Sequence, residues 1–179
     1  PETGFHPLAV ASVRERYKHE GLKQAFAILG QGQLSLTKVL IIVGDDAGDI
    51  RDFRNVSRSL WRNLDAASGI HLISPTAQDT LDFTGPLMNE GSRLILQAIN
   101  RGQAVRTILP PPPPEPGEVH PSIRKIEVLG EAFLIVQVSA SFDRGSVVEA
   151  LKRNGSSSKY LFHVLVSEDV DMHSAMMVL

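Results

Sequence analysis

Apolar residues in this chain recur in two rhythms, and the alternation between them predicts most of the elements. Leu8-Ala9-Val10-Ala11-Ser12-Val13 reads as a first strand. From Glu20 to Leu29, Leu22, Ala25, Phe26 and Leu29 recur at helical spacing, and Gly30 closes the helix. Val39 to Val43 is an unbroken aliphatic run rich in β-branched residues and bounded by turn residues, the pattern of a strand buried on both faces. Asp52 opens a helix whose Phe53, Val56, Leu60 and Leu64 form one stripe, ending at Gly69. Ile70 to Ile73 is a short third strand. Asn89 then caps a further helix, with Leu94, Ile95, Ala98 and Ile99 inward and Asn100-Arg101-Gly102 at its close.

Beyond Gly102 the pattern breaks. Pro110 to Pro114 are five consecutive prolines, which favour an extended polyproline helix and read as a semi-rigid spacer. After it, Ser122 to Val128 and Ala132 to Val138 are strands joined at Gly130, Arg144 to Arg153 is a helix, Lys159 to Val166 a strand, and a helix starts at Asp171. Strands separated by helices of these lengths predict an α/β fold. It has a largely parallel mixed sheet flanked by helices, built from βαβ units, with the Pro-rich spacer leading to a second ββαβα segment. The domain boundaries that follow are residues 1–101, a linker over 102–121, and residues 122–179. The first residue is Pro1, and the last lie in the apolar run Ala175-Met176-Met177-Val178-Leu179, which has no helix-stop residue. A piece of a longer polypeptide is therefore expected.

Charge changes this picture at one place. The central apolar run ends on Gly44-Asp45-Asp46, with Asp49 close behind, and the carboxyl end of a buried parallel strand is where α/β proteins place their chemistry. The same acids also suit the capping of the helix that follows, and taken alone they favour that plainer role. Val166-Ser167-Glu168-Asp169-Val170-Asp171 repeats the pattern, which fits an internal duplication or, equally, a shared local solution to ending a strand and capping a helix. Over the 179 residues the hydrophobic share is 42%, the charged share 21%, and the net charge −2. No strong basic block exists, which disfavours nucleic-acid binding. No apolar run approaches the roughly 18 residues that span a membrane. Zero cysteines exclude disulfides and thiolate metal sites, and fit a cytoplasmic protein.

Motif chemistry is sparse. The six histidines, His6, His19, His71, His120, His163 and His173, have neither HxH nor HExxH spacing, and His71 and His163 alternate with apolar strand residues as sheet-face residues do. No G-x-S-x-G elbow supports a hydrolase triad, and neither standard glycine-rich phosphate loop is present. Lys38, just before the central strand, is a point charge suited to a phosphate, although a lysine at a strand edge is more often solvated.

The residues Phe5-His6-Pro7-Leu8-Ala9-Val10-Ala11-Ser12-Val13, Arg16-Tyr17, Leu36-Thr37-Lys38, Leu60-Trp61-Arg62-Asn63-Leu64-Asp65, Asp79-Thr80-Leu81-Asp82-Phe83 and Gly91-Ser92 resemble the C-terminal part of the UbiD family of prenylated-flavin-dependent aromatic decarboxylases. The resemblance is specific over about the first hundred residues and leans toward the menaquinone branch. Beyond the proline run it is loose, resting mainly on Asp169-Val170-Asp171. Lys18 stands where the family usually has proline, and Gly44 where it often has aspartate. The resemblance implies a parent enzyme that binds prenylated FMN with manganese and potassium, and that decarboxylates an aromatic acid of quinone biosynthesis. The catalytic groups and the metal ligands would lie in a flavin domain preceding this region. The chain itself would carry no catalytic or metal residue and hold no cofactor alone. One role carries over, that of the lysine in the Thr-Lys pair, which reaches the flavin phosphate and matches Lys38. Also implied are a homo-oligomer and peripheral membrane contact through a lipophilic substrate. The rival readings are a stand-alone assembly or regulatory module of the same fold and, more remotely, a small phosphate-binding enzyme using Lys38 with Asp45 and Asp46.

Overall fold

The computed structural model describes residues 7–80, 82, 85–102 and 106–172. Its strands are β1 (Leu8–Val13), β2 (Val39–Gly44), β3 (Ile70–Ala77), β4 (Glu90–Ala98), β5 (Ile123–Leu129), β6 (Phe133–Val138) and β7 (Phe162–Ser167). Its helices are α1 (Glu20–Leu29), α2 (Phe53–Asn63), a single turn α3 (Pro116–Val119) and α4 (Arg144–Arg153). These assort into two compact units. The first holds β1, α1, β2, β3 and β4. The second takes Phe53–Trp61 of α2 together with the chain from Arg106 onward. Sequence order therefore does not divide the units cleanly, because a helix lying between β2 and β3 packs with the later segment.

In the first unit the strand order is β1-β2-β4-β3. β1, β2 and β4 are parallel, with Leu8 opposite Val39 and Val39 opposite Leu94, and β3 is antiparallel to β4. Alternate residues of these strands, Ala9, Ala11, Leu40, Ile42 and Ile95, bury one face against Leu22, Ala25, Ile28 and Leu29 of α1. Phe26, assigned by spacing to the same stripe, instead points to solvent with 54% exposure; Ile28 takes its place.

The largest correction concerns residues 89–102. Glu90–Ala98 is not a helix but a strand inserted between β2 and β3. With neighbours on both edges and an unbroken buried run over residues 95–98, this strand loses the apolar-polar alternation that identifies strands, and Leu94-Ile95-Leu96 then fits either period. Asn89 is no helix cap: its φ of 62° is a left-handed turn conformation that Asn tolerates. β3 is correspondingly longer than expected, running to Ala77 to match its partner.

The second unit is a three-stranded sheet of order β5-β6-β7, antiparallel between β5 and β6 and parallel between β6 and β7. Ile123, Leu134, Val136 and Val138 close over Val147 and Leu151 of α4 and the Tyr160 ring. Asp143 caps α4 by accepting the Ser146 N–H at 2.6 Å. Gly130 turns the β5-β6 hairpin at a φ of 60°, and a Cβ there would strike Ser57 of α2. Ser57 Oγ donates to Leu129 O and accepts the Ala132 N–H, both at 3.0 Å, which pins the helix to the hairpin. The proline run belongs to this unit: Tyr160 Oη donates to Pro111 O at 2.6 Å, and Trp61 Nε1 to Ile108 O at 3.0 Å. It is laid down at defined points rather than left as a spacer. The helix expected from Asp171 lies, beyond Met172, outside the described residues.

Candidate functional site

Lys38 stands at the amino end of β2. Its own N–H and that of Val39 both donate to Pro7 O, at 3.1 and 2.8 Å, and its carbonyl accepts the Leu94 N–H at 2.9 Å. The lysine backbone is therefore held by β1 and β4 together, and the side chain leaves from a fixed point. Its ammonium lies 2.9 Å from Asp82 Oδ2, with the lysine side chain 30% exposed and the aspartate 5%. An ordinary strand-edge lysine would be solvated; this one is half-buried and paired.

Arg93 of β4 completes the surroundings. Its Nη1 donates to Thr37 O at 2.7 Å and its Nη2 to Ala77 O at 2.6 Å, tying the start of β2 to the end of β3. Burial lowers the Arg93 guanidinium from its ordinary value, yet an arginine stays charged under any such shift. Thr37 is fully buried, and its hydroxyl finds no hydrogen-bond partner among the described residues. Gln78 donates from Nε2 to Ser92 O at 2.9 Å and packs on Gly91 so closely that no Cβ fits there. The motif segments Thr37-Lys38, Asp82 and Gly91-Ser92, far apart in sequence, thus converge on one corner.

The acidic turn lies elsewhere. β2 separates it from Lys38 by its full length, roughly 20 Å for six extended residues. Asp45 makes an exposed 3.6 Å pair with Arg14, and Asp49 Oδ1 accepts the Arg51 N–H at 3.0 Å. A phosphate site combining Lys38 with Asp45 and Asp46 is excluded by that separation. At the same carboxyl end, Arg101 binds Glu15 through Nε at 2.7 Å and Nη2 at 2.9 Å, and reaches Gln97 Oε1 at 2.8 Å. Glu15 also accepts the Gly21 N–H, and Gln97 meets His71 at 2.7 Å. The Arg101 hydrogen bonds hold the Glu15 carboxyl below its ordinary range, and Glu15 raises Arg101 in turn.

Sequence reasoning singled out Lys38 but gave no role to Asp82 or Arg93. The first had a signal in the Asp79-Thr80-Leu81-Asp82-Phe83 motif. The second was hidden inside a segment read as helix. Among the described residues no group of three or more His, Asp or Glu is arranged to hold a metal ion. No helix among them is long and apolar enough to cross a membrane.

The family model of the 3-octaprenyl-4-hydroxybenzoate carboxy-lyase C-terminal domain, UbiD_C, matches residues 1–98, and the chain belongs to this family. The chain is similar to a 4-hydroxybenzoate decarboxylase protein of Chlamydia pneumoniae, 38% identical over 138 residues, which is 77% of this chain and 23% of that protein. That span is too long to fit within the first 98 residues, so the similarity reaches into the second unit. An uncharacterized protein of Archaeoglobus fulgidus is 33% identical over 100 residues, 56% of this chain and 21% of that protein. The vanillic acid decarboxylase of Sedimentibacter hydroxybenzoicus in its open form shares the fold at a TM-score of 0.50 and 20% identity, over 68% of this chain and 23% of that one. The chain spans less than a quarter of the length of the curated relatives it matches.

Proposed function

We propose that this chain is the C-terminal part of a UbiD-type decarboxylase acting on an aromatic carboxylate, and that Lys38 delivers a positive charge to the phosphate of its flavin. Membership of the UbiD_C family carries the first half of this reading. The second rests on a partly exposed cation held rigidly beside the converging family motifs. The donor chemistry fits a phosphate: an ammonium can hold Asp82 and an anion at once, because it has three N–H donors. An ammonium does not ligate manganese or potassium, which take carboxylate and carbonyl oxygens, and in this reading those ions are held by a flavin domain of the same polypeptide.

When bound, a prenylated flavin supplies the electron sink for loss of carbon dioxide. This chain's part is to fix the phosphate end of that cofactor, cover one side of the cleft and contribute to a homo-oligomer. The finer reading is a cytoplasmic enzyme of menaquinone or ubiquinone biosynthesis that touches the membrane only through its lipophilic substrate. The chain by itself is expected to turn over nothing. The full-length protein, loaded with prenylated FMN and manganese, should release carbon dioxide from 4-hydroxybenzoate or a polyprenylated or bicyclic relative. Loaded protein that leaves such a panel of aromatic acids intact would sink the proposal.

A further inference from the structure

We propose that Asp82 is the counter-charge that sets how strongly Lys38 grips an anion, and that it restrains that grip. The inference rests on the flavin-phosphate reading of Lys38 and adds a second residue to it. Asp82 comes from a loop 44 residues away, and its Oδ2 takes the Lys38 ammonium at 2.9 Å. The two side chains are unequally buried, 5% exposed for the carboxylate against 30% for the lysine, so an incoming anion meets the pair from the lysine side. Two acceptors sharing one ammonium lie within about 5 Å of each other at ordinary hydrogen-bond lengths. The anion is then attracted by Lys38 and repelled by Asp82 across a poorly screened gap. Arg93, committed to Thr37 O and Ala77 O, keeps a further positive charge beside Thr37 but is bound to backbone.

Two substitutions separate the contributions. Asp82→Asn keeps an acceptor oxygen for the ammonium and nearly the same shape, and removes the negative charge that pairs with Lys38 and repels the anion. Lys38→Met does the opposite. It removes the attraction and leaves a buried carboxylate without the Lys38 ammonium, facing the position of the phosphate. The second substitution should therefore be worse than the loss of one contact, and adding the first to it should help. A residue that merely fastened its loop would behave otherwise: its loss would add to the damage.

The test uses full-length protein with FMN and riboflavin as probes, which share the ring system and differ in the phosphate. Asp82→Asn is expected to tighten FMN binding about three- to tenfold and leave riboflavin unchanged. Lys38→Met should weaken FMN by about thirtyfold or more, and the double variant should regain at least about threefold over Lys38→Met. Asp82→Asn and the double variant both remove the buried carboxylate, so they remain readable if Lys38→Met fails to fold. FMN binding that is unchanged or weakened in Asp82→Asn overturns the proposal, as does a double variant below Lys38→Met. A Lys38→Met protein whose preference for FMN over riboflavin equals that of wild type overturns the flavin-phosphate reading itself, and this inference with it. Selective FMN loss in Lys38→Met without a gain in Asp82→Asn overturns this inference alone.

Discussion

The two ends of the first unit's sheet hold ion pairs of similar length and opposite character. At the carboxyl end, Glu15 and Arg101 are 10% and 19% exposed, and their polar atoms are engaged by Gly21 and Gln97 as well as by each other. At the amino end, Lys38 pairs with Asp82 but keeps 30% of its side chain accessible. The carboxyl end of parallel strands is where open α/β sheets bind ligands by rule. Here a hydrogen-bonded network at that end ties the chain just after β1 to the residues following β4. Lys38, proposed above as the phosphate contact, sits at the other end. An enclosed, hydrogen-bonded ion pair serves the fold, and the proposed phosphate contact falls at the end where the paired cation keeps more exposure.

Opening the closed end should cost the most. Arg101→Met leaves Glu15 without its charged partner in a largely buried place, and is expected to lower stability by about 2–3 kcal/mol, below the figure for a fully buried pair because both side chains retain some water. The denaturant midpoint should fall while the preference for FMN over riboflavin stays at the wild-type value. A selective loss of FMN in this variant would break the distinction between the ends.

Acid should reveal the same network more gently. The folded-state pKa of Glu15 lies below its ordinary value of 4.5, so its contribution is complete above 4.5 and is lost as the pH falls through the lower, folded value. The stability gap between wild type and Glu15→Gln should accordingly be constant near neutrality and narrow below about pH 4.5. A gap that widens on acidification would mean that the carboxylate is not held by Arg101.

The smallest effect belongs to the acidic turn. Asp45 and Arg14 form an exposed pair at 3.6 Å, with side chains 58% and 84% accessible, and Asp45→Asn should change stability by less than about 0.5 kcal/mol. Flavin binding should not respond either. A larger loss in thermal unfolding would give this surface turn a structural role that its exposed contacts do not suggest.

How much of this was legible depended on how local each feature is. β2 was legible because a buried parallel strand is an uninterrupted aliphatic run, and β1 because all but Ser12 of Leu8–Val13 is apolar. β4 was not, since Leu94, Ile95, Ala98 and Ile99 satisfy a helical spacing and only the pairing with β2 and β3 reveals a strand. The acid-rich turn stands out in sequence by its charge and its place at the carboxyl end of β2, yet the pair that Asp45 makes lies on the surface. Lys38 was found through motif resemblance, not through its spacing. Asp82 and Arg93 escaped because the contacts that matter, to Lys38 and Thr37, join residues 44 and 56 positions apart, and no periodicity encodes such a meeting. The assignment of Phe53–Trp61 to the second unit was hidden for the same reason: Ser57 finds its partners at Leu129 and Ala132, more than seventy residues on.

If the accessible lysine at the amino end of β2 holds a phosphate, as proposed, its loss must be felt by FMN and not by riboflavin. The most direct measurement is the ratio of FMN to riboflavin affinity in full-length wild type and in Lys38→Met, by titration at fixed ionic strength. A lost charge-assisted contact is worth about 1.5–3 kcal/mol, so the ratio should fall at least about tenfold. A ratio equal to wild type, in a variant that remains folded, would contradict the phosphate role and leave Lys38 as the structural partner of Asp82.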